Sequence, residues 1–184
     1  DPMSDKRVGV YVCHCGHNIA GTVDVEHVAE WAWGLPNVAV SRDCQFMCAS
    51  LGQDMIEEDI REHGLTHIVV ASCSPHMHEK TFRGACERAG LNPYLFEMAN
   101  IREHASWVHP HDKDGATDKA KALVSAAVHR VLQQQPLEPL QVDIRPETLV
   151  AFCLGLSGAL AGMAGLFEVA GPAGQVTDKL GVGY

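Results

Sequence analysis

The chain has 184 residues, a formal net charge of −9 and a pI near 5.6, with 46% hydrophobic and 20% charged residues. That length suits one domain, or one domain with a fragment of a second, and the composition is that of a globular core, not of a disordered or fibrous chain. The acidic balance argues against nucleic-acid partners, which select clustered Lys and Arg, and seven cysteines make an odd number for a disulfide framework.

Strand and helix patterns alternate along the chain. Residues 7–13 (RVGVYVC) read as a strand, which delivers Cys13 and Cys15 with only His14 between them. Residues 24–35 carry apolar side chains at helical spacing behind Asp24 as N-cap, and 38–41 make a short second strand. A helix is predicted over 52–63 (GQDMIEEDIREH), with Met55, Ile56 and Ile60 on one face and Gly64 ending it. Its acidic run Glu57-Glu58-Asp59 reads as a solvated face. Residues 67–72 (HIVVAS) form a continuous apolar strand of the kind buried on both faces. A third helix, over 78–89, closes on Gly90 and carries Cys86 in register with Phe82 and Ala89, as a packing residue. Residues 94–98 are a fourth strand, and 114–135 a long helix with an apolar stripe from Ala120 to Val131. Of Trp31 and Trp33, two apart and so on different helix faces, one is expected in the core and one exposed or at an interface.

A proline-spaced linker is predicted over 136–147, separating a cysteine-rich domain (1–135) from a tail (148–184). The tail reads as a strand over 148–153, burying Cys153, then a small-residue helix over 158–170. Its uncharged part falls short of a membrane span. The expected fold is α/β: a small parallel sheet of about four strands flanked by helices, doubly wound and Rossmann-like, with a C-terminal strand–helix extension. With no charged-then-apolar leader, the expected setting is a reducing cytoplasm, where clustered cysteines signal metal or redox chemistry.

In an open parallel sheet every strand's carboxyl end lies on one edge, where ligands bind. That topology gathers Cys13 and Cys15 after the first strand, Cys44 and Cys48 after the second, and Cys73 after the third. A single zinc site would show paired C-x2-C knuckles, and a dithiol catalyst a C-x-x-C at a helix start; neither spacing occurs. Four thiolates from scattered loops are how an iron–sulfur cluster is held. His76, Met77, His78 and Glu79 either donate toward such a group or cap a helix. Arg102, Glu103, Trp107 and His109 either wall the ligand edge or pack as an ordinary loop. No nucleophile–base pair, paired carboxylates or phosphate loop stands out, so substrate chemistry is not expected of this chain alone. The rival expectation is a zinc-bound or metal-free structural module that docks partner subunits.

Several runs also resemble a known family. VGVYVCHCGHNIAGTVDV at 8–25, MCASLGQDMI at 47–56, VVASCSPHMHEKTFR at 69–83, AGLNPYLFEMANIREH at 89–104 and SWVH at 106–109 are similar to the amino-terminal domain of the A-type subunit of heterodisulfide reductase, over roughly residues 7–134. The resemblance implies a [4Fe–4S] cluster held by Cys13, Cys15, Cys48 and Cys73, in an electron-transfer component of an oxidoreductase. Its implied partners are heterodisulfide reductase B- and C-like subunits and a hydrogenase or dehydrogenase; a homodimer is also open. Ala105 stands where family members often carry a cysteine, which leaves Cys44 as an alternative fourth ligand. A flavin-binding domain follows in the family, and 149–171 (LVAFCLGLSGALAGMAGLFEVAG) has the outline of its opening βα unit. The G-x-G-x-x-G frame, however, reads Ser157-x-Ala159-x-x-Gly162, so the tail is expected to be a remnant and FAD binding by this chain alone is not expected.

Overall fold

A computed structural model describes residues 5–138 and 146–170, the second stretch with side chains over 150–163. Two compact units divide the chain, Asp1–Glu138 and Pro139–Tyr184. In the first, β1 (Val8–Cys13), β2 (Val38–Cys44), β3 (His67–Ser72) and β4 (Phe96–Asn100) pair in parallel in the order β2-β1-β3-β4. Five helices join or flank them: α1 (His17–Ala20), α2 (Val25–Ala32), α3 (Ser50–His63), α4 (Pro75–Arg88) and α5 (Lys113–Val131). A π-helical turn, Arg102–Ser106, follows β4.

Strands β1 and β3 are buried along their whole length because they are central and covered on both faces. Their alternation sorts residues into two layers. Val8, Val10, Val12, Val69 and Ala71 pack with Val28, Ala32, Val124 and Val128 of α2 and α5. Tyr11, Cys13, Ile68 and Val70 pack with Ile56, Ile60, Phe82 and Cys86 of α3 and α4. The cysteine that ends β1 thus belongs to the α3/α4 layer. Helix ends follow their capping chemistry: the Asp24 carboxylate accepts from the His27 N–H at 3.2 Å, and Gly64 closes α3 at φ 58°.

Several expectations need correction. Strand β2 continues through Cys44 because an edge strand tolerates the solvent-facing Arg42. Asp59 is not solvated: it is 2% exposed, accepting from the Tyr11 hydroxyl at 3.1 Å and from Arg42 Nη2 at 2.8 Å. A buried carboxylate survives only with such partners, and burial together with this neighbour raises the Tyr11 pKa above the usual phenol range.

The tail differs most. Pro146–Ala170 is a single helix, α6, where 148–153 was expected as a strand. A short apolar run cannot be told from a helix by periodicity alone, and here the apolar stretch continues far beyond strand length. Cys153 is therefore exposed, not buried, and the glycine-frame positions Ser157, Ala159 and Gly162 lie inside the helix. Much of the expected linker (139–145) and the end of the tail (171–184) lie outside the described residues. Among the described residues no helix is long and apolar enough to cross a membrane. Trp31 is half-buried against the core and Trp33 is 53% exposed.

Candidate metal centre

The strand order reverses between β1 and β3. The helix that follows β1 in the α5 layer (α2) and the helix that follows β3 (α4) cover opposite faces, so β1 and β3 form the topological switch point beside whose crevice, outside the carboxyl ends of the strands, open α/β sheets bind ligands. Cys13 ends β1 and Cys73 immediately follows β3, so the two thiols flank that crevice. Both are almost completely buried, 4% and 5% exposed.

Cys13 Sγ receives two backbone N–H groups, from Cys15 at 3.3 Å and from Met47 at 3.4 Å. Burial pushes its pKa up to about 11, against the pull of those two donors, and the neighbouring thiols Cys15 and Cys48 add like-charge repulsion. Cys73 is also raised by burial; the Arg102 cation opposes the rise and Cys15 adds to it. Cys15 and Cys48 are thus neighbours of Cys13, and Cys15 of Cys73. Cys44 pairs with Cys13 across the parallel ladder and packs on the same layer, so it stays beside the group. Cys86 is fully buried in the α3/α4 layer, with a pKa pushed up to about 12, again by burial.

Cys15, Cys48 and Cys73 each stand one residue before a helix N-cap, respectively Gly16, Ala49 and Ser74. Cys48 and Cys73 thus stand at the amino-terminal ends of α3 and α4. Cys15 does not continue the extended strand beyond Cys13. Cys15 sits at φ 49° and Gly16 at φ 57°, ψ −120°, a sharp reversal that only glycine takes without strain at the second position. The reversal is pinned through His14, whose carbonyl accepts from the Ile19 and Ala20 N–H groups and whose N–H donates to the Cys44 carbonyl. The His14 ring meets Asp43 at 2.7 Å.

Among the described residues no three of these thiols lie within 4.8 Å of one another. A tetrahedral zinc, about 2.3 Å from each sulfur, would draw four of them to roughly 3.8 Å apart. An all-thiol donor set suits a soft, thiophilic metal group, an iron–sulfur cluster among them. The tight group that does occur, Asp59, Glu62 and His63, has its Asp59 already engaged by Arg42 and Tyr11. Of the residues after Cys73, Met77 reaches the edge through Arg102, while His78 stacks edge-on against Phe82 and Glu79 pairs with Arg83. The Met47 N–H and the π turn that presents Arg102 carry no sequence signal of their own.

The burial of Cys13 and Cys86 has a measurable consequence in the metal-free chain. Alkylating agents attack thiolates, so site-resolved mass spectrometry at rising pH will find these two modified last and Cys153 among the first. Both folded-state pKa values exceed the ordinary 9.0. Their contribution to stability is therefore complete below pH 9 and is lost as pH climbs toward 11 and above. Equal labelling rates for Cys13 and Cys153 at pH 8 would contradict the burial described.

No family model matches the chain. It is 50% identical over 166 residues to the second iron-sulfur A-type subunit of the CoB–CoM heterodisulfide reductase of Methanopyrus kandleri, covering 90% of this chain and 24% of that protein. It is 48% identical over 166 residues to a protein of Archaeoglobus profundus named as like the A-type subunit of heterodisulfide reductase, covering 90% and 23% respectively. Against the A-type subunit of the H2:CoB–CoM heterodisulfide, ferredoxin reductase of Methanothermobacter thermautotrophicus it is 48% identical over 170 residues, 92% and 25%. The similarity therefore extends past residue 134 and includes most of α6, so the tail is not foreign to these relatives. The chain spans about a quarter of the length of the curated relatives it matches.

Proposed function

We propose, taking this similarity to the A-type subunit of heterodisulfide reductase as the premise, that the chain is an electron-relay domain of a heterodisulfide-reductase-like complex, in which Cys13, Cys15, Cys48 and Cys73 hold one [4Fe–4S] cluster. The observation that carries the reading is the placement of these four thiols at the carboxyl ends of the parallel strands, with Cys13 and Cys73 buried on either side of the strand-order reversal. Such a cluster, when bound, stores and passes single electrons. The chain's own residues provide the rest. Cys13 and Cys73 supply buried sulfurs that exclude water, the Cys15 and Met47 N–H groups favour the thiolate of Cys13, and the starts of α3 and α4 place Cys48 and Cys73 at the same edge. Cys44 is the alternative fourth ligand. With no catalytic pair at this edge in the proposed role, oxidoreductase chemistry belongs to the assembled complex, in a cytoplasmic setting with partner subunits.

Anaerobic metal and sulfide analysis with paramagnetic resonance tests this. Protein purified and reconstituted without oxygen is expected to carry about four irons per chain, a broad visible band and a resonance signal after reduction. About one zinc per chain with no visible band would favour the structural module instead. Reconstituted protein without iron would overturn the reading.

A further inference from the structure

Residues 100–107 (NIREHASW) leave β4 and turn back on themselves. The Ser106 N–H reaches the Ile101 carbonyl at 3.0 Å and the Trp107 N–H that of Arg102 at 2.9 Å, the five-residue spacing of a π turn. The turn presents Arg102 to the thiol edge with a side chain only 12% exposed. Its guanidinium donates from Nε and Nη2 to Glu103 Oε1 at 3.2 and 2.7 Å, and from Nη2 to Met77 Sδ at 3.0 Å. It lies over the Trp107 ring at 4.8 Å, and Nη1 donates to Cys15 Sγ at 3.6 Å. Desolvation disfavours the cation, yet Glu103 and Cys15 outweigh it and hold the Arg102 pKa above its usual value. The same charge acts on Cys73. One fixed cation therefore faces two of the four proposed sulfur ligands.

A second observation concerns its partner. Glu103 Oε2 is buried without a hydrogen-bond partner, so Arg102 is the cation that offsets this carboxylate at close range. We propose that Arg102 and Glu103 form an opposed pair that sets the reduction potential at this site, Arg102 raising it through the N–H to Cys15 Sγ and Glu103 holding it down. The inference rests on the cluster reading above. One-electron reduction breaks no bond and adds one negative charge to a group already ringed by thiolates, so a nearby cation favours the reduced form and a nearby anion opposes it.

Potentiometric titration of the anaerobically reconstituted full chain, followed by the resonance signal of the reduced state, separates the possibilities. Arg102→Gln should make reduction about tenfold less favourable, a fall of about 59 mV for a one-electron couple. Glu103→Gln should shift the potential upward, with iron content unchanged, and Arg102→Lys should fall between wild type and Arg102→Gln. Opposite signs are the signature, since loosened packing has no reason to reverse direction between neighbours. If Arg102→Gln fails to load iron, Glu103→Gln decides alone: an upward shift supports the pair and an unchanged or lower potential overturns it. Loaded variants at the wild-type potential, or both shifted the same way, would overturn the role of Arg102 while leaving the cluster reading intact. A wild-type chain that takes up no iron would overturn the cluster reading first, and this inference with it.

Discussion

Replacing Cys13 with Ser will abolish stable iron loading of the reconstituted chain while leaving it folded. Cys13 is the most enclosed of the four thiols, at the end of a central strand, with two backbone N–H groups aimed at its sulfur. A serine hydroxyl can accept the same two donors, so the native fold loses on the order of 1 kcal/mol, a small part of a domain's stability. It cannot replace a soft thiolate toward iron at neutral pH. Iron analysis and the visible band should therefore collapse while the circular dichroism of the metal-free variant matches that of the metal-free parent. Cys48→Ser and Cys73→Ser are expected to behave alike. Cys86→Ser should do the reverse: a hydroxyl buried in the α3/α4 layer costs about 1–3 kcal/mol, but iron stays. Comparing Cys15→Ser with Cys44→Ser identifies the fourth ligand. Loss of iron from Cys86→Ser with retention in Cys13→Ser would show that the metal lies elsewhere.

Gly52→Ala is expected to be the most damaging single methyl in the domain. A Cβ at Gly52 would stand 2.4 Å from the Met47 carbonyl oxygen and 2.5 Å from Met47 Cα, both backbone atoms that cannot rotate away. The alanine gains about 1 kcal/mol of helix propensity. Overpacking costs about 1–3 kcal/mol and sometimes more, and a clash with backbone belongs at or beyond the upper end. The clash wins. Relief requires α3 to separate from the Met47–Cys48 segment, whose Met47 side chain is fully buried and whose Cys48 carbonyl is held by Gln53 Nε2 at 2.9 Å. That movement also withdraws the Met47 N–H from Cys13 Sγ, so denaturant stability and iron retention should fall together. Gly84→Ala is the control. Its Cβ would meet only the flexible end of Arg88 at 3.4 Å, so the same methyl in α4 should be neutral or stabilising by up to about 1 kcal/mol. Equal stability of the two alanine variants would refute the close approach at Gly52.

The sheet was legible because its signals were local and strong. HIVVAS ends at the residues observed, and Asp24 and Gly64 punctuate helices by chemistry that needs no tertiary context. What the sequence hid was set by neighbours far along the chain. Asp59 looks solvated until Arg42 on β2 and Tyr11 on β1 close over it. The four residues of α1 are too few to show a period. The π turn differs from an α turn by one residue, which no pattern of apolar positions registers. Strand-end topology was enough to expect five thiols at one edge. It was not enough to foresee that Cys15 arrives there by a left-handed reversal, or that a backbone N–H from Met47 meets Cys13.

The parallel pairing of β1 with β3 also dictates when the thiol site can exist. Val8 faces His67 and Val12 faces Ala71 across this pair, so about sixty residues of chain must be enclosed before Cys13 and Cys73 become neighbours. Contacts that distant form late, because their closure entropy precedes any gain from pairing. A nascent chain truncated before β3 holds Cys13, Cys15, Cys44 and Cys48 without the wall that Cys73 completes. If the four thiols hold the cluster proposed above, topology orders its maturation: the β1–β3 pairing must close first, and the iron follows.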